Sequence, residues 1–96
     1  MEIIYTTRFS NHFSSIKNYL SENHNHLLEQ TISVIDERIN TIKHNPYMGR
    51  IGVRPNTREL VFRKLPYILV YRVAELEQKI FLVAIFHTSQ NRNSLL

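Results

Sequence analysis

Cysteine is absent from the 96 residues, which removes disulfide frameworks, thiolate zinc centres and cysteine nucleophiles together and fits a reducing compartment. Long apolar runs are also missing. None approaches the roughly 20 residues of a membrane span, and Met1-Glu2-Ile3-Ile4-Tyr5 has neither the basic start nor the apolar stretch of a signal peptide. A soluble, cytoplasmic chain without a membrane partner is expected. Only two glycines occur, Gly49 and Gly52, so there is no glycine-rich phosphate loop, and no paired-carboxylate motif or Ser/His/Asp arrangement stands out. The length falls below the usual size of one domain, so residues 1–96 are read as a single domain. With 43% hydrophobic residues, that domain has enough material for a core without covalent staples.

What is present is an uneven charge. The chain carries +4 overall. Residues 1–49 hold four basic and five acidic side chains, and residues 73–96 balance at zero. The whole excess therefore lies in residues 50–72, where Arg50, Arg54, Arg58, Arg63, Lys64 and Arg72 face Glu59 alone. Such a concentration suits an acidic partner, either nucleic acid or protein, although a basic stretch can also serve only to keep a surface solvated.

Periodicity gives the fold class. Phe9, Phe13, Ile16 and Leu20 step by 4, 3 and 4, one stripe of an amphipathic helix. Leu28, Ile32, Ile35, Ile39 and Ile42 repeat the spacing through a second helix, with Asn25 as its expected N-cap and an end near His44-Asn45 imposed by Pro46. A short polar turn between them makes an antiparallel helical hairpin, whose apolar stripes need a sheet to cover. Four strands are expected: Glu2 to Thr7, Arg58 to Arg63, Tyr67 to Val73 and Lys79 to Phe86. The last two are nearly continuous apolar runs, as in central strands covered on both faces. The second alternates and reads as an edge or near-edge strand, with Glu59, Val61 and Arg63 opposite Leu60 and Phe62. Pro46 to Asn56, holding both glycines and two of the three prolines, reads as a loop between layers. The expectation is an α+β fold of order β-α-α-β-β-β, a helical hairpin on a small antiparallel sheet.

Candidate chemistry is sparse. Tyr67 and Tyr71 share one strand face, where they could stack on bases or simply fill the core with their hydroxyls at the rim. His87 follows the last apolar strand, at a point where side chains leave the core. It could act as a general acid or base, or hydrogen-bond a C-terminal loop. The remaining histidines fall on helix surfaces or in the helical turn, and His24 with His26 makes no complete metal site. Neither a metal nor a cofactor is expected.

The runs Asn45-Pro46-Tyr47-Met48-Gly49-Arg50, Thr57-Arg58-Glu59-Leu60, Pro66-Tyr67-Ile68-Leu69-Val70-Tyr71-Arg72-Val73 and Phe86-His87-Thr88-Ser89-Gln90-Asn91-Arg92, in that order and spacing, resemble the RelE/ParE superfamily of bacterial toxins. The resemblance spans the chain. It implies the toxin of a type II toxin-antitoxin system, of the plasmid-stabilisation kind, neutralised by a cognate antitoxin whose C-terminal segment wraps it in a hetero-oligomer.

Two mechanisms divide that superfamily: ribosome-dependent cleavage of messenger RNA, and inhibition of DNA gyrase by ParE. The ribonuclease branch commonly has an arginine after the aromatic at the Tyr67 position, where this chain has Ile68. Under that branch His87, Arg63, Lys64 and Arg72 would be the catalytic group. Thr57-Arg58-Glu59-Leu60 and the His87 to Arg92 run look closer to ParE. Under that reading Arg50, Arg54, Arg58, Arg63, His87 and Arg92 contact antitoxin or target, Arg58 and Arg63 meet the antitoxin along the exposed second strand, and His87 is part of a binding edge. A third reading is a degenerate member that only binds its antitoxin.

Overall fold

The computed structural model describes residues 1–90. Strand β1 (Glu2–Tyr5) leads directly into helix α1 (Thr7–Asn23). Thr6 makes the junction. Its hydroxyl accepts from the Phe9 N–H at 3.2 Å and donates to the Leu82 carbonyl at 2.6 Å, so one side chain caps the helix and ties it to the sheet. The first strand is therefore shorter than expected, because Thr6 and Thr7 belong to the helix start.

Helix α2 (Asn25–His44) follows after His24 alone. The N-cap is His24, whose backbone (φ −147°, ψ 52°) is neither helical nor extended and which makes no side-chain cap bond, and Asn25 is already helical. Asn25, expected as the cap for its side-chain oxygen, is instead the first helical residue, because the turn closes on His24, whose N–H donates to the Leu20 carbonyl and whose carbonyl accepts from the Leu27 N–H, both at 2.8 Å. Helix α2 ends with Lys43 and His44 in its last turn, where positive charge favours the helix terminus.

Strands β2 (Arg50–Ile51), β3 (Thr57–Val61), β4 (Tyr67–Ala74) and β5 (Lys79–His87) complete one sheet of order β1-β5-β4-β3-β2. Two features depart from the sequence reading. Strand β1 runs parallel to β5, pairing Ile3 with Ile80 and Tyr5 with Leu82, so the sheet is mixed rather than antiparallel. Their partnership joins residues more than seventy positions apart, and nothing local signals it. The expected loop also contains β2, an edge strand of two residues against β3, too short for any periodicity. The near-edge position of β3 is as expected.

Burial follows the helical stripes. Phe9, Ile35 and Ile42 are fully enclosed and Ile39 nearly so, meeting Leu60, Leu69, Tyr71, Ile80 and Leu82 from the sheet, and Leu20 is buried as well. Leu28 and Ile32 are only half-buried, and Thr31 takes the inward position between them. A smaller cluster of Ile68, Val70, Ala84 and Phe86 is formed by the alternate residues of β4 and β5. The register of β4 on β5 shifts between Val70 and Tyr71, placing an extra residue in β5 at Val83. No described helix is long and apolar enough to cross a membrane.

Candidate functional site

At one end of the sheet, His87 closes β5 opposite Tyr67, the first residue of β4. Their rings meet edge to face at 5.7 Å. The Nδ1 of His87 accepts from the Ser89 N–H at 3.1 Å and lies 2.8 Å from the Ser89 hydroxyl. A backbone N–H can only donate, so Nδ1 is the acceptor of the neutral ring and the proton sits on Nε2. Gln90 Oε1 accepts from the His87 N–H at 2.8 Å, and the Pro66 carbonyl accepts from Thr88 N–H at 2.8 Å, fixing the segment against the β3–β4 turn. The histidine is thus held as a donor.

This end borders a groove of about 930 Å³ between the helical junction and the sheet, lined among others by His12, Tyr19, His24, Lys64, Tyr67 and His87. No acidic side chain lines it among the described residues. Tyr67 is 6% exposed, and burial, with the neighbouring Tyr19 second, pushes its phenol above the ordinary value. It stays protonated.

His12 is not the solvent-facing helix residue that the sequence suggested. It is half-buried, and its Nδ1 accepts from the Ile85 N–H at 3.3 Å. Burial, then the charge of Arg8, lowers its pKa. Sequence alone gives one hint: His12 is next to Phe13 on the apolar stripe.

The basic stretch is largely occupied by its own fold. Arg50 donates through Nε and Nη2 to Glu59 Oε1 at 3.2 and 3.0 Å, and Glu59 Oε2 accepts from the Val53 N–H at 3.3 Å. Glu59 is 2% exposed, against the half-exposed strand face expected for it. The cause is that β2 and the following loop fold over that face and satisfy the carboxylate. Arg58 donates to the carbonyls of Tyr47 and Gly49 at 3.1 and 2.8 Å and stacks 4.9 Å over the Tyr47 ring. Arg72 stacks 4.5 Å over Phe81. It sits five residues along β4 from Tyr67, roughly 16 Å away at the strand rise, so it is not brought to His87. Arg63 and Lys64 lie exposed in the β3–β4 turn, and Lys64 alone of the two lines the groove. Arg54 is exposed at the loop tip. Arg92 lies outside the described residues.

Tyr71 serves the core rather than stacking on bases. It is fully buried, its hydroxyl donates to the Pro46 carbonyl at 2.7 Å and accepts from Gly49 N–H at 2.9 Å. Burial raises its pKa. A Cβ on Gly49 would stand 2.8 Å from that hydroxyl and 3.0 Å from the Glu59 carbonyl, so this close approach of loop to sheet requires glycine.

The model of the family described as the ParE toxin of the type II toxin-antitoxin system parDE matches residues 3–92. The chain belongs to the ParE toxin family. Solved structures agree on the fold. The chromosomal ParDE system from P. aeruginosa is similar with a TM-score of 0.68 at 17% identity, covering 91% of this chain and 95% of that one. The intact E. coli RelBE toxin-antitoxin complex gives 0.62 at 13%, covering 93% and 98%, and the isolated E. coli RelE toxin 0.62 at 13%, covering 97% and 89%. No curated protein matches by sequence. This ParE-family chain therefore has the RelE/ParE-like α+β fold that its periodicity and motif order implied, as the toxin component of such a system.

Proposed function

We propose that the chain is a growth-inhibiting toxin of the ParE type, that its target is DNA gyrase, and that a cognate antitoxin neutralises it by filling the groove beside His87. The observation that carries this reading is the bond from Ser89 N–H to His87 Nδ1. A general base needs an unprotonated nitrogen facing the substrate. The free acceptor of this imidazole is already engaged, and Nε2 presents an N–H. Held in this way the ring offers a partner a hydrogen-bond donor at Nε2 rather than a base to a ribose 2′-hydroxyl. Separation of Arg72 from His87 points the same way, since an arginine stabilising a scissile phosphate must sit beside the acid and base.

Groove chemistry supports the antitoxin's place. An apolar concavity bounded by Lys64 and His87, with no carboxylate among its described lining residues, accepts an acidic amphipathic segment without charge repulsion. An antitoxin there covers the His87 edge, so neutralisation follows from occlusion.

One observation favours the ribonuclease reading: Lys64 and His87 line the same groove, and a lysine near a histidine can hold a phosphate. Purified chain assayed for gyrase supercoiling and for cleavage of ribosome-bound messenger separates the two. Inhibition of supercoiling with intact messenger is expected; cleaved messenger with unaffected gyrase would replace this reading with the ribonuclease one.

A further inference from the structure

Strand β1 covers β5 only as far as Leu82, opposite Tyr5. Beyond that point the outer edge of β5 has no strand beside it among the described residues, and side chains meet its backbone instead. The Thr6 hydroxyl donates to the Leu82 carbonyl, His12 Nδ1 accepts from the Ile85 N–H at 3.3 Å, and Gln90 Oε1 accepts from the His87 N–H at 2.8 Å. An open edge invites pairing unless its groups are occupied. Here α1 and the turn after β5 occupy them.

The same bonds fix two histidines in one form. A backbone N–H only donates, so His12 Nδ1, like His87 Nδ1 under the Ser89 N–H, is the acceptor of a ring whose proton sits on Nε2. In His12 that nitrogen lies across the ring from Nδ1, and so points away from β5. No described residue accepts from it, whereas every fully enclosed side-chain nitrogen and oxygen among the described residues has a partner. This N–H therefore reaches open space, and His12 lines the groove.

The ring of His12 stands at Ile85, and His87 follows two residues later, about 7 Å along the strand. Lys64 is the one formally charged side chain among the described lining residues, and none of them is a carboxylate. Ile16, Leu20, Leu27, Leu65 and Phe86 supply apolar wall. Two imidazole donors and an ammonium in such a groove suit an oxyanion on an apolar stem. Charge and solvation select its kind. A single cation balances a single negative charge, and apolar walls do not replace the water around the successive phosphates of a nucleic-acid strand. A carboxylate carried on an amphipathic segment meets both demands.

We propose that His12 Nε2, His87 Nε2 and Lys64 Nζ form a carboxylate subsite inside the groove, and that a glutamate or aspartate of the antitoxin occupies it. The proposal rests on the reading that the antitoxin fills this groove. Charge-assisted bonds of about 2.8 Å to the two oxygens of one carboxylate span a gap of the size that separates the two histidines. His12 is then a recognition residue. A segment that lacks the acid leaves the donors covered and unpaired, so this one position discriminates among antitoxins.

The test first follows the imidazole signals of the free chain by NMR during titration with sodium acetate at constant ionic strength. His12 and His87 should shift together and saturate, while His26 and His44, which do not line the groove, stay in place. Dimethyl phosphate, the monoanion of a nucleic-acid backbone, should act only at higher concentration. The cognate antitoxin is then bound to wild type and to His12→Phe, which keeps a ring and removes the donor, with each acidic residue of the antitoxin changed in turn to its amide. One such change should weaken wild-type binding about tenfold, as for a lost charge-assisted bond. In His12→Phe the same change should cost no more than about threefold, the coupling expected of groups in contact. Equal losses in the two chains, acetate that moves neither histidine, or dimethyl phosphate that binds more tightly than acetate would overturn the proposal. If His12→Phe does not fold, the acetate titration of wild type still decides it. The two readings fail separately. Antitoxin that moves the groove signals although acetate does not removes the subsite and leaves the antitoxin in the groove. Antitoxin that binds without moving any groove signal removes that placement, and the subsite with it.

Discussion

Glu59 Oε1 lies 3.0 Å from Arg50 Nη2, an ion pair in which the carboxylate is enclosed and the guanidinium side chain remains half in solvent. The asymmetry sets the energetics. Removing Arg50 does not expose Glu59; it leaves an enclosed charge with fewer donors. Arg50→Ala should therefore cost about 1 to 3 kcal/mol, the usual penalty of an unsatisfied buried group. Replacing both residues by apolar ones of similar size should recover much of that loss. Denaturant midpoints of the single and double variants check it, and a neutral Arg50→Ala would show that the pair contributes nothing to folding.

Packing of α2 gives a second prediction. Ile35 is fully enclosed between helix and sheet, whereas Ile32, one turn earlier, is half-buried. Ile35→Ala should cost about 2 to 5 kcal/mol through lost transfer energy and the cavity left behind. Ile32→Ala should cost clearly less. Equal losses in urea unfolding would mean that the helix is rotated from the orientation described.

Much of this was legible in the sequence. Helix faces follow from a 3.6-residue period repeated over nine apolar positions, and the two β-hairpins follow from short turns between apolar runs. Strand β1 was visible, but its direction was not, because parallel pairing with β5 depends on a crossover through most of the chain. The site was less legible. A run of arginines looks the same whether it faces a partner or its own loop, and only the fold shows that Arg50 and Arg58 do the latter. Glu59, the single acidic residue in that run, was the available clue to such internal use. The engagement of His87 by Ser89 arises from the turn after β5, where spacing alone fixes no geometry.

His12 provides a pH prediction. Its neutral Nδ1 accepts the Ile85 N–H, and burial together with Arg8 holds its pKa below the ordinary value of 6.5. Below that value the unfolded chain takes up the proton more readily than the folded one. The stabilisation is thus complete above pH 6.5 and declines as the pH falls from there through the lower folded-state value. Thermal midpoints of wild type should drop on acidification from this cause, and His12→Gln should lose that component of the drop. Parallel pH profiles for the two chains would count against the bond to Ile85.

Tyr71→Phe isolates the tether of the 46–49 segment. It keeps the ring and removes the hydroxyl that serves both Gly49 N–H and the Pro46 carbonyl. A cost of about 1 to 3 kcal/mol is expected for the unpaired Gly49 N–H in its buried setting, accompanied by faster amide exchange at Gly49. Unchanged exchange would mean that the loop holds itself without the phenol.

The central claim is that His87 serves as a binding residue and not as a general acid or base, and His87→Gln tests it most directly, since glutamine keeps a donor but cannot act as acid or base. Gyrase supercoiling and ribosome-bound messenger are assayed with wild type and variant. Wild type should inhibit supercoiling and leave messenger intact, and the variant should keep most of that inhibition, within about tenfold, as expected for one hydrogen bond. Messenger cleavage by wild type that falls about 10² to 10⁴-fold in His87→Gln, the range of a general acid or base, would contradict the account.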